Sequence, residues 1–184
     1  MLFPKEKRGT IMKKIISLVI VCVVLFSLCA CSSEPTLVGS NGGNNNPSSE
    51  ATEFKVGDTV KLNDVEVTFI GVTEDAGSTY FKPADGKIFV FCEFEISNKS
   101  NKDLAVSSMM SFQAYCDDYT CDLSISALAA KGEKEQLDGT VAAGKKMKGV
   151  VGYELPIDWT ELEVHYIPDL LSSNKIVFVA NNNA

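Results

Sequence analysis

Apolar and polar residues alternate in short runs across residues 53–184, and no other feature of the sequence constrains the fold as strongly. In the clearest run, Cys92, Phe94 and Ile96 alternate with Glu93 and Glu95. Successive side chains of a β-strand point to opposite faces of the sheet. The pattern therefore predicts a strand whose even-numbered residues face the core, while the two carboxylates turn the other face toward water.

Turn-forming residues separate this run from several others of the same kind. Pro156 and Pro168 each end a run, and a polar stretch at 98–102 follows another. The remaining runs lie at 65–70, 112–116, 121–125, 147–155, 162–166 and 176–180. Only residues 127–137 have the spacing of a helical turn. Seven or eight strands with turns between them predict an all-β fold, an antiparallel β-sandwich, over residues 53–184.

Four short segments carry a resemblance to a known family: VGDTV at 56–60, GKIFV at 86–90, ISNKS at 96–100 and GVVGYELP at 149–156. In this order they resemble the lipoproteins of Firmicutes that are built on a domain of unknown function. The fold of that family is immunoglobulin-like and similar to the mycobacterial immunoprotective extracellular antigen. The resemblance implies an immunoglobulin-like sandwich outside the cell, and it brings no catalytic residue. Where a glycine is usual in one hairpin, this chain has Asp117 and Asp118.

The N-terminal segment has the pattern of a lipoprotein signal peptide covering residues 1–30. Lys13 and Lys14 precede an apolar run over 15–30, whose 16 residues would reach about 24 Å as a helix. A bilayer core is about 30 Å thick, so the run is short for a membrane span. It ends in Leu28-Cys29-Ala30-Cys31, which resembles a lipobox. We therefore expect the Cys31 thiol to carry a diacylglyceryl lipid on the outer face of the cell membrane. The alternative is that the segment stays uncleaved as a membrane anchor and that Cys31 is incidental.

The start of translation stays open between Met1 and Met12. Residues 1–11 match no part of a signal peptide, and Lys7-Arg8-Gly9 can be encoded by a purine-rich stretch of the kind that binds ribosomes. Our hypothesis is that translation starts at Met12.

Residues 31–52 are rich in Ser, Asn, Gly and Pro. Such a segment buries too little apolar area to offset the entropy of ordering, so we expect a flexible tether. A flexible chain of this length spans on the order of 25 Å. The domain at 53–184 should therefore stay close to the membrane.

The charge of the chain is divided unevenly. Residues 1–30 hold five of its 17 basic and one of its 24 acidic side chains, which leaves 12 basic and 23 acidic side chains in the rest. An acidic domain repels phosphate backbones, so nucleic acid is not an expected partner. The same surplus of acid keeps an exported protein soluble.

No constellation of residues in the domain indicates a reaction. His165 is the single histidine of the chain, and the strand period places it opposite Leu162, Val164 and Tyr166, on a face that we expect to meet solvent. No spacing of Cys and His typical of a metal site is present. The sequence therefore predicts a protein that is not an enzyme.

Asp117, Asp118 and Asp122 are the candidate ligands of a metal ion. Calcium prefers several oxygen ligands, and these three side chains would supply them. Aspartate is also common in turns, where it bonds to the backbone. Both interpretations stay open, and no cofactor other than the lipid is expected.

The domain contains three cysteines. Cys92 shares its face with Phe94 and Ile96 and is expected in the core. Cys116 and Cys121 flank a predicted hairpin turn and would face each other across it, where an exported protein can form a disulfide. A bridge and two buried free thiols remain equal alternatives.

Five aromatic side chains, Tyr80, Phe81, Tyr153, Trp159 and Tyr166, are candidates for an exposed patch that binds a ligand or glycan, although core packing accounts for most aromatic residues.

These features predict a membrane-anchored extracellular lipoprotein that acts as a non-catalytic binding module for an envelope protein, a polymer or a small ligand. Two other classes remain. A ligand-delivery lipoprotein for a transporter usually needs two lobes or a deep pocket. A secreted protease inhibitor needs an exposed and rigid loop, for which residues 74–86 are the candidate.

Overall fold

The computed structural model describes residues 33–40, 53–132, 135–169 and 174–182, and residues 33–184 form one compact unit. The predicted signal peptide, Met12, Cys31 and residues 41–52 of the predicted tether lie outside the described residues. No helix in the described ranges is long and apolar enough to cross a membrane.

The described chain consists of strands and one short helix. In chain order the elements are β1 (Thr36–Ser40), β2 (Phe54–Lys55), β3 (Asp58–Leu62), β4 (Val65–Asp75), β5 (Lys87–Asn98), β6 (Leu104–Val106), β7 (Phe112–Cys116), β8 (Tyr119–Cys121), α1 (Ile125–Lys131), β9 (Gly139–Val141), β10 (Lys146–Pro156), β11 (Glu161–Tyr166) and β12 (Ile176–Asn181).

Two five-stranded sheets form the β-sandwich that the sequence predicts. The first has the strand order β1-β3-β4-β5-β10 and the second β2-β12-β11-β7-β8, while β6 and β9 pair separately. All pairs are antiparallel except β2 with β12. The fold is therefore confirmed, with more strands in the described ranges than the seven or eight predicted. The additional strands β2, β6 and β9 have two or three residues, too few to reveal a period, while β1 and β3 have five residues each. The strand predicted at 121–125 is wrong beyond residue 121, because β8 ends at Cys121 and the helix begins at Ile125.

Aromatic rings from both sheets meet in the core. Phe94 on β5 lies 4.6 Å from Phe69 on β4, measured between ring centroids. It also lies 5.3 Å from Phe112 and 5.5 Å from Phe178, which belong to the opposite sheet. Cys92, Phe94 and Ile96 are fully buried. The inward face predicted from alternation is confirmed.

The other face of β5 changes character along its length. Glu93 and Glu95 form ion pairs with Lys148 and Lys146 at 3.1 and 2.7 Å. Closer to the start of β5, Phe89 and Phe91 occupy the same outward face and are covered by the helix.

Helix α1 lies on this apolar part of the first sheet. Ser124 caps its N-terminus, where the Ala127 N–H donates to the Ser124 Oγ at 3.1 Å. Ala127 packs against Phe89 and Phe91. A Cβ on Gly152 would lie 3.1 Å from Ala127 and from Phe91, so glycine at this position allows the helix to approach the sheet. The helical turn predicted at 127–137 is present, at 125–131.

The antiparallel strands place successive loops at alternate ends of the sandwich. Loops 76–86, 117–118 and 157–160 share what we call the hairpin end, and a 2.7 Å hydrogen bond from Trp159 Nε1 to Glu74 Oε1 joins the two sheets there. Turns 63–64, 99–103, 107–111 and 142–145 share the other end, which we call the Asn98 end.

Asn98 organises the end named after it. Its side-chain N–H groups donate to the Lys102 and Val141 carbonyls at 2.7 and 2.9 Å. Its Oδ1 accepts from the Ser100 N–H and hydroxyl at 3.0 and 2.7 Å. A buried amide is stable when its polar atoms are bonded in this way, which explains the Asn in the ISNKS segment.

Part of the predicted tether belongs to the sheet. Residues 36–40 form β1, which pairs with β3 from Thr36 with Lys61 to Ser40 with Asp58. Leu37 packs against the core. The prediction that 31–52 is flexible throughout is therefore wrong for residues 36–40, because Thr36, Leu37 and Val38 suit a strand and β3 offers an open edge.

Candidate functional site

The β7–β8 hairpin turns on two aspartates. Cys116 pairs with Tyr119, so Asp117 and Asp118 form a two-residue loop. Both have positive φ, at 48° and 69°. A two-residue hairpin with positive φ at both positions is a type I′ turn, and Asp tolerates this conformation better than most residues. The turn is therefore made without the usual glycine.

Asp117 fastens this hairpin to the neighbouring loop. Its carboxylate accepts from the N–H groups of Thr160 and Glu161 at 3.1 and 2.9 Å, and also from the Thr160 hydroxyl. The Thr160 hydroxyl is the main reason that the pKa of Asp117 lies below its usual value, with the Glu161 N–H adding to it. The hairpin end is held together by this charged acceptor.

A groove runs between the hairpin and the end of β10. Its volume is about 650 Å³. Tyr119, Thr120 and Cys121 form one wall, and Glu154, Leu155 and Pro156 form the other. The remaining lining residues are Lys87, Cys116, Asp117, Asp122 and Ser124. We call this the edge groove, because β8 and β10 are the edge strands of the two sheets.

The groove lies at the acidic end of the molecule. Exposed and half-buried carboxylates at the hairpin end and around the groove are Glu74, Asp75, Asp85, Asp117, Asp118, Asp122, Glu154, Asp158 and Glu161, and the lysines are Lys82 and Lys87. The Asn98 end is near balance, with Lys61, Lys99, Lys102, Lys145, Lys146 and Lys175 against Glu34, Asp64, Glu66, Glu95, Asp103, Asp138 and Asp169. Negative potential is therefore concentrated around the groove.

Two thiols line the inner part of the groove. Cys116 and Cys121 are free; the Cys116 thiol donates to Asp117 Oδ2 at 3.6 Å, and the Cys121 thiol donates to the Tyr119 carbonyl at 3.5 Å. The register places Cys116 opposite Tyr119 and Cys121 opposite Ala114, so the two cysteines are diagonal neighbours rather than direct partners. Burial raises the pKa of Cys116 to about 12 and that of Cys121 to about 11. Cys92 is buried, as predicted, and burial raises its thiol pKa further.

The three aspartates considered as calcium ligands do not form one cluster. Asp117 and Asp122 line the edge groove, whereas Asp118 lines a smaller cavity, which it shares with Asp117. In the part of the chain that the structure describes, no group of three or more His, Cys, Asp or Glu side chains is placed to hold a metal ion. Asp117 instead acts as the acceptor described above.

His165 is buried, which corrects the prediction that it meets solvent. It does lie opposite Val164 and Tyr166, yet only 3% of it is exposed. Its Nε2 bonds to Glu163, its Nδ1 lies 3.2 Å from Lys175 Nζ, and its ring lies 5.2 Å from the Tyr115 ring. Long neighbours on the outer face therefore cover the imidazole. Glu163 is two residues from His165 on one strand, so the strand period alone places the two side chains next to each other on the same face.

The five candidate aromatic residues do not form a patch. Tyr153, Trp159 and Tyr166 are at most 3% exposed and belong to the core. Tyr80 is 89% exposed, on a loop that the Ser78 N–H closes by donating to the Phe81 carbonyl at 2.6 Å.

Gly77 makes this loop closure possible. Its φ is +83°, and a Cβ there would lie 2.3 Å from the Phe81 carbonyl oxygen. The Gly77 N–H also donates to Asp75 Oδ1 at 2.7 Å. The loop is therefore a tight turn with Tyr80 exposed beside it.

The edge groove is absent from the sequence-based predictions because its walls are far apart in the chain. In the sequence, 34 residues separate Tyr119 from Glu154. The hairpin signal at 117–118 was visible, but the position of β10 beside it depends on strand order.

Comparison with known proteins fits this architecture. Residues 54–176, more than half of the chain, match the model of the domain of unknown function DUF4352. The chain belongs to the DUF4352 family. Membership confirms the predicted resemblance to a family built on a domain of unknown function, while the resemblance to lipoproteins of Firmicutes and the link to the mycobacterial antigen stay predictions. No curated protein is significantly similar to this DUF4352 chain.

Two solved structures share the fold. The proposed lipoprotein ycdA of Bacillus subtilis is 20% identical with a TM-score of 0.56, over 66% of this chain and 38% of that protein. The DUF4352 chain thus spans well under half of that relative. The yjhA protein of Bacillus subtilis is 18% identical with a TM-score of 0.51, over 68% of this chain and 97% of that one. Similarity at this level concerns the fold alone.

Proposed function

We propose that this DUF4352 protein is a lipid-anchored module of the bacterial cell envelope, and that it binds a positively charged peptide segment of a partner protein in the edge groove without catalysing a reaction. The observation that carries the proposal is the groove itself. It is open, it lies between two sheet edges, and acidic side chains surround it.

The chemistry of the groove favours a cationic and extended ligand. Asp122 and Glu154 face it from opposite walls, and Lys87 is the basic residue among its lining. The register predicts that the backbone N–H and C=O of Thr120 point away from β7, because Tyr115 and Thr120 form the non-hydrogen-bonded pair of the hairpin. An extended peptide beside β8 would bond to such a free edge.

The groove favours this proposal over the two other classes. An open groove between sheet edges differs from the deep pocket or the two lobes of a delivery protein. Loop 74–86 is closed into a turn by the Ser78 and Phe81 bond, whereas a protease active site takes up an extended segment. A binding module requires neither feature.

Binding in the groove is tested with a fluorescent lysine-rich peptide and anisotropy titration. Asp122→Asn with Glu154→Gln keeps the shape of the groove and removes two charges, and it should weaken binding at least tenfold at low salt. Glu135→Gln removes an exposed charge that is not part of the groove lining, so it serves as the matched control. Equal affinity of the double variant and wild type would refute the groove as the binding site.

The anchor is tested separately by metabolic labelling with a fatty acid. Wild-type protein should carry the label, and Cys31→Ala should lose it because Cys31 is the predicted site of thioether formation in the lipobox. Labelling of Cys31→Ala would show that the lipid is attached elsewhere.

A further inference from the structure

Two adjacent methionines are exposed at the Asn98 end. Met109 and Met110 are 66% and 57% exposed on the turn between β6 and β7. Side chains of this size and polarity are normally found in a core. Two of them side by side on one turn form an exposed apolar tip.

The turn that holds the two methionines is fixed by the serines around them. The Ser111 N–H donates to the Ser107 carbonyl at 2.8 Å, and the Ser107 N–H donates to the Ser111 hydroxyl oxygen at 3.1 Å. Ser108 is 3% exposed, and its N–H and hydroxyl both donate to Asp138, at 3.0 and 2.6 Å. These bonds fix the backbone of the turn that carries the two exposed methionines.

The chain leading to the lipid anchor enters at the same end. Thr36 pairs with Lys61, next to the 63–64 turn of the Asn98 end. Only four residues, 32–35, separate Thr36 from Cys31. That stretch spans at most about 18 Å when fully extended. A lipid on Cys31 would therefore keep the Asn98 end close to the membrane surface.

The distribution of charge favours the same orientation. The acidic residues that surround the edge groove are at the hairpin end. An anionic leaflet would repel them, so the hairpin end is expected to face away from the membrane. The Asn98 end is near charge balance, and Lys102 and Lys145 are exposed there, close to the headgroup level in this orientation.

We infer that the Met109–Met110 turn inserts into the outer leaflet beside the lipid anchor, so that the domain docks on the membrane with its Asn98 end and presents the edge groove away from it. The occupant of this apolar tip is the lipid surface. The inference rests on the lipid anchoring proposed above. The inference adds to the lipid anchor an orientation of the domain and a second membrane contact, the Met109–Met110 turn. Two membrane contacts hold a protein on a membrane more firmly than one.

The test uses the mature lipidated protein in vesicles of phosphatidylethanolamine and phosphatidylglycerol, with or without bromine on the acyl chains. Met110→Trp reports contact with lipid, because brominated chains quench a tryptophan that they touch. Tyr80→Trp is the matched control at the hairpin end, and Met109→Trp is a second reporter. Trp159, the only native tryptophan, is buried at the hairpin end and provides a constant background.

Met110→Trp should lose most of its added emission in brominated vesicles, while Tyr80→Trp should lose none. Two results in protein that floats with the vesicles would refute the docking orientation and leave the anchor standing. One is that neither Met109→Trp nor Met110→Trp is quenched, and the other is that Tyr80→Trp alone is quenched. If wild-type protein does not float with the vesicles, the anchor fails, and the docking that depends on it fails as well.

Discussion

Truncation of Phe94 is the sharpest test of the sandwich register. Phe94 is fully buried, and its ring meets Phe69 on its own sheet together with Phe112 and Phe178 on the other. Phe94→Ala would leave a cavity bounded by strands of both sheets, and the close packing of the remaining side chains allows only partial collapse into it. Substitutions of this kind cost about 3 to 5 kcal/mol. Aromatic pairs add about 0.5 to 1.5 kcal/mol each beyond buried area, so we expect the upper part of that range.

Glu95→Ala is the matched control because it shortens the next side chain of the same strand. Glu95 is on the outward face and pairs with Lys146. Surface substitutions usually change stability by less than about 0.5 kcal/mol. Chemical denaturation of wild type and both variants measures the three free energies of unfolding. An equal loss for the two variants, or a larger loss for Glu95→Ala, would mean that the inward and outward faces of β5 are assigned wrongly.

Three further predictions follow from individual side chains. The Tyr166 hydroxyl is buried and has no hydrogen-bond partner among the described residues, so Tyr166→Phe should raise the free energy of unfolding by about 1 kcal/mol in thermal or chemical denaturation; a loss of stability would reveal a partner. The pKa of Asp117 is lowered in the folded protein, so the ionised carboxylate contributes to the free energy of unfolding. This contribution is complete above the carboxyl pKa of the unfolded chain and is lost as the pH falls through the pKa of the folded protein. An Asp117→Asn variant should lack this loss of stability in acid, and a variant whose stability depends on pH as that of wild type does would contradict the prediction. Since Cys116 and Cys121 share one face of the hairpin as diagonal neighbours and an exported protein can form disulfides, the exported protein should yield a non-reduced peptide lighter by two hydrogens, whereas two alkylatable thiols would refute the bridge.

The strand period predicted the buried faces because it depends on local geometry alone. Phe94 on β5 and Val164 on β11 are buried as their alternation requires. His165 shows where the rule stops. Its side chain points to the outer face as predicted, but burial there depends on whether Tyr115, Glu163 and Lys175 lie across it. Alternation gives the direction of a side chain and not what covers it.

The composition of residues 31–52 led to a wrong prediction for residues 36–40 for a related reason. The many Asn, Ser and Gly residues of 31–52 obscure the short Thr36-Leu37-Val38 segment. A strand of five residues has little stability by itself. β1 forms because β3 would otherwise be an open edge of the first sheet, with unpaired backbone groups. The partner that orders residues 36–40 is therefore supplied by tertiary structure, which a local pattern does not contain.

The separation of charge between the two ends has the same origin. Along the sequence, acidic and basic residues are interspersed, and no single segment of the domain is strongly acidic. Antiparallel strands return every second loop to the same end, so the carboxylates of 74–85, 117–122 and 154–161 gather around the edge groove although they are distant in the chain. The lysines of 99–102 and 145–146 return to the Asn98 end by the same rule. A β-sandwich thus converts an alternation of loop compositions into two chemically different ends, and in this protein β1 begins at the Asn98 end, where Thr36 pairs with Lys61.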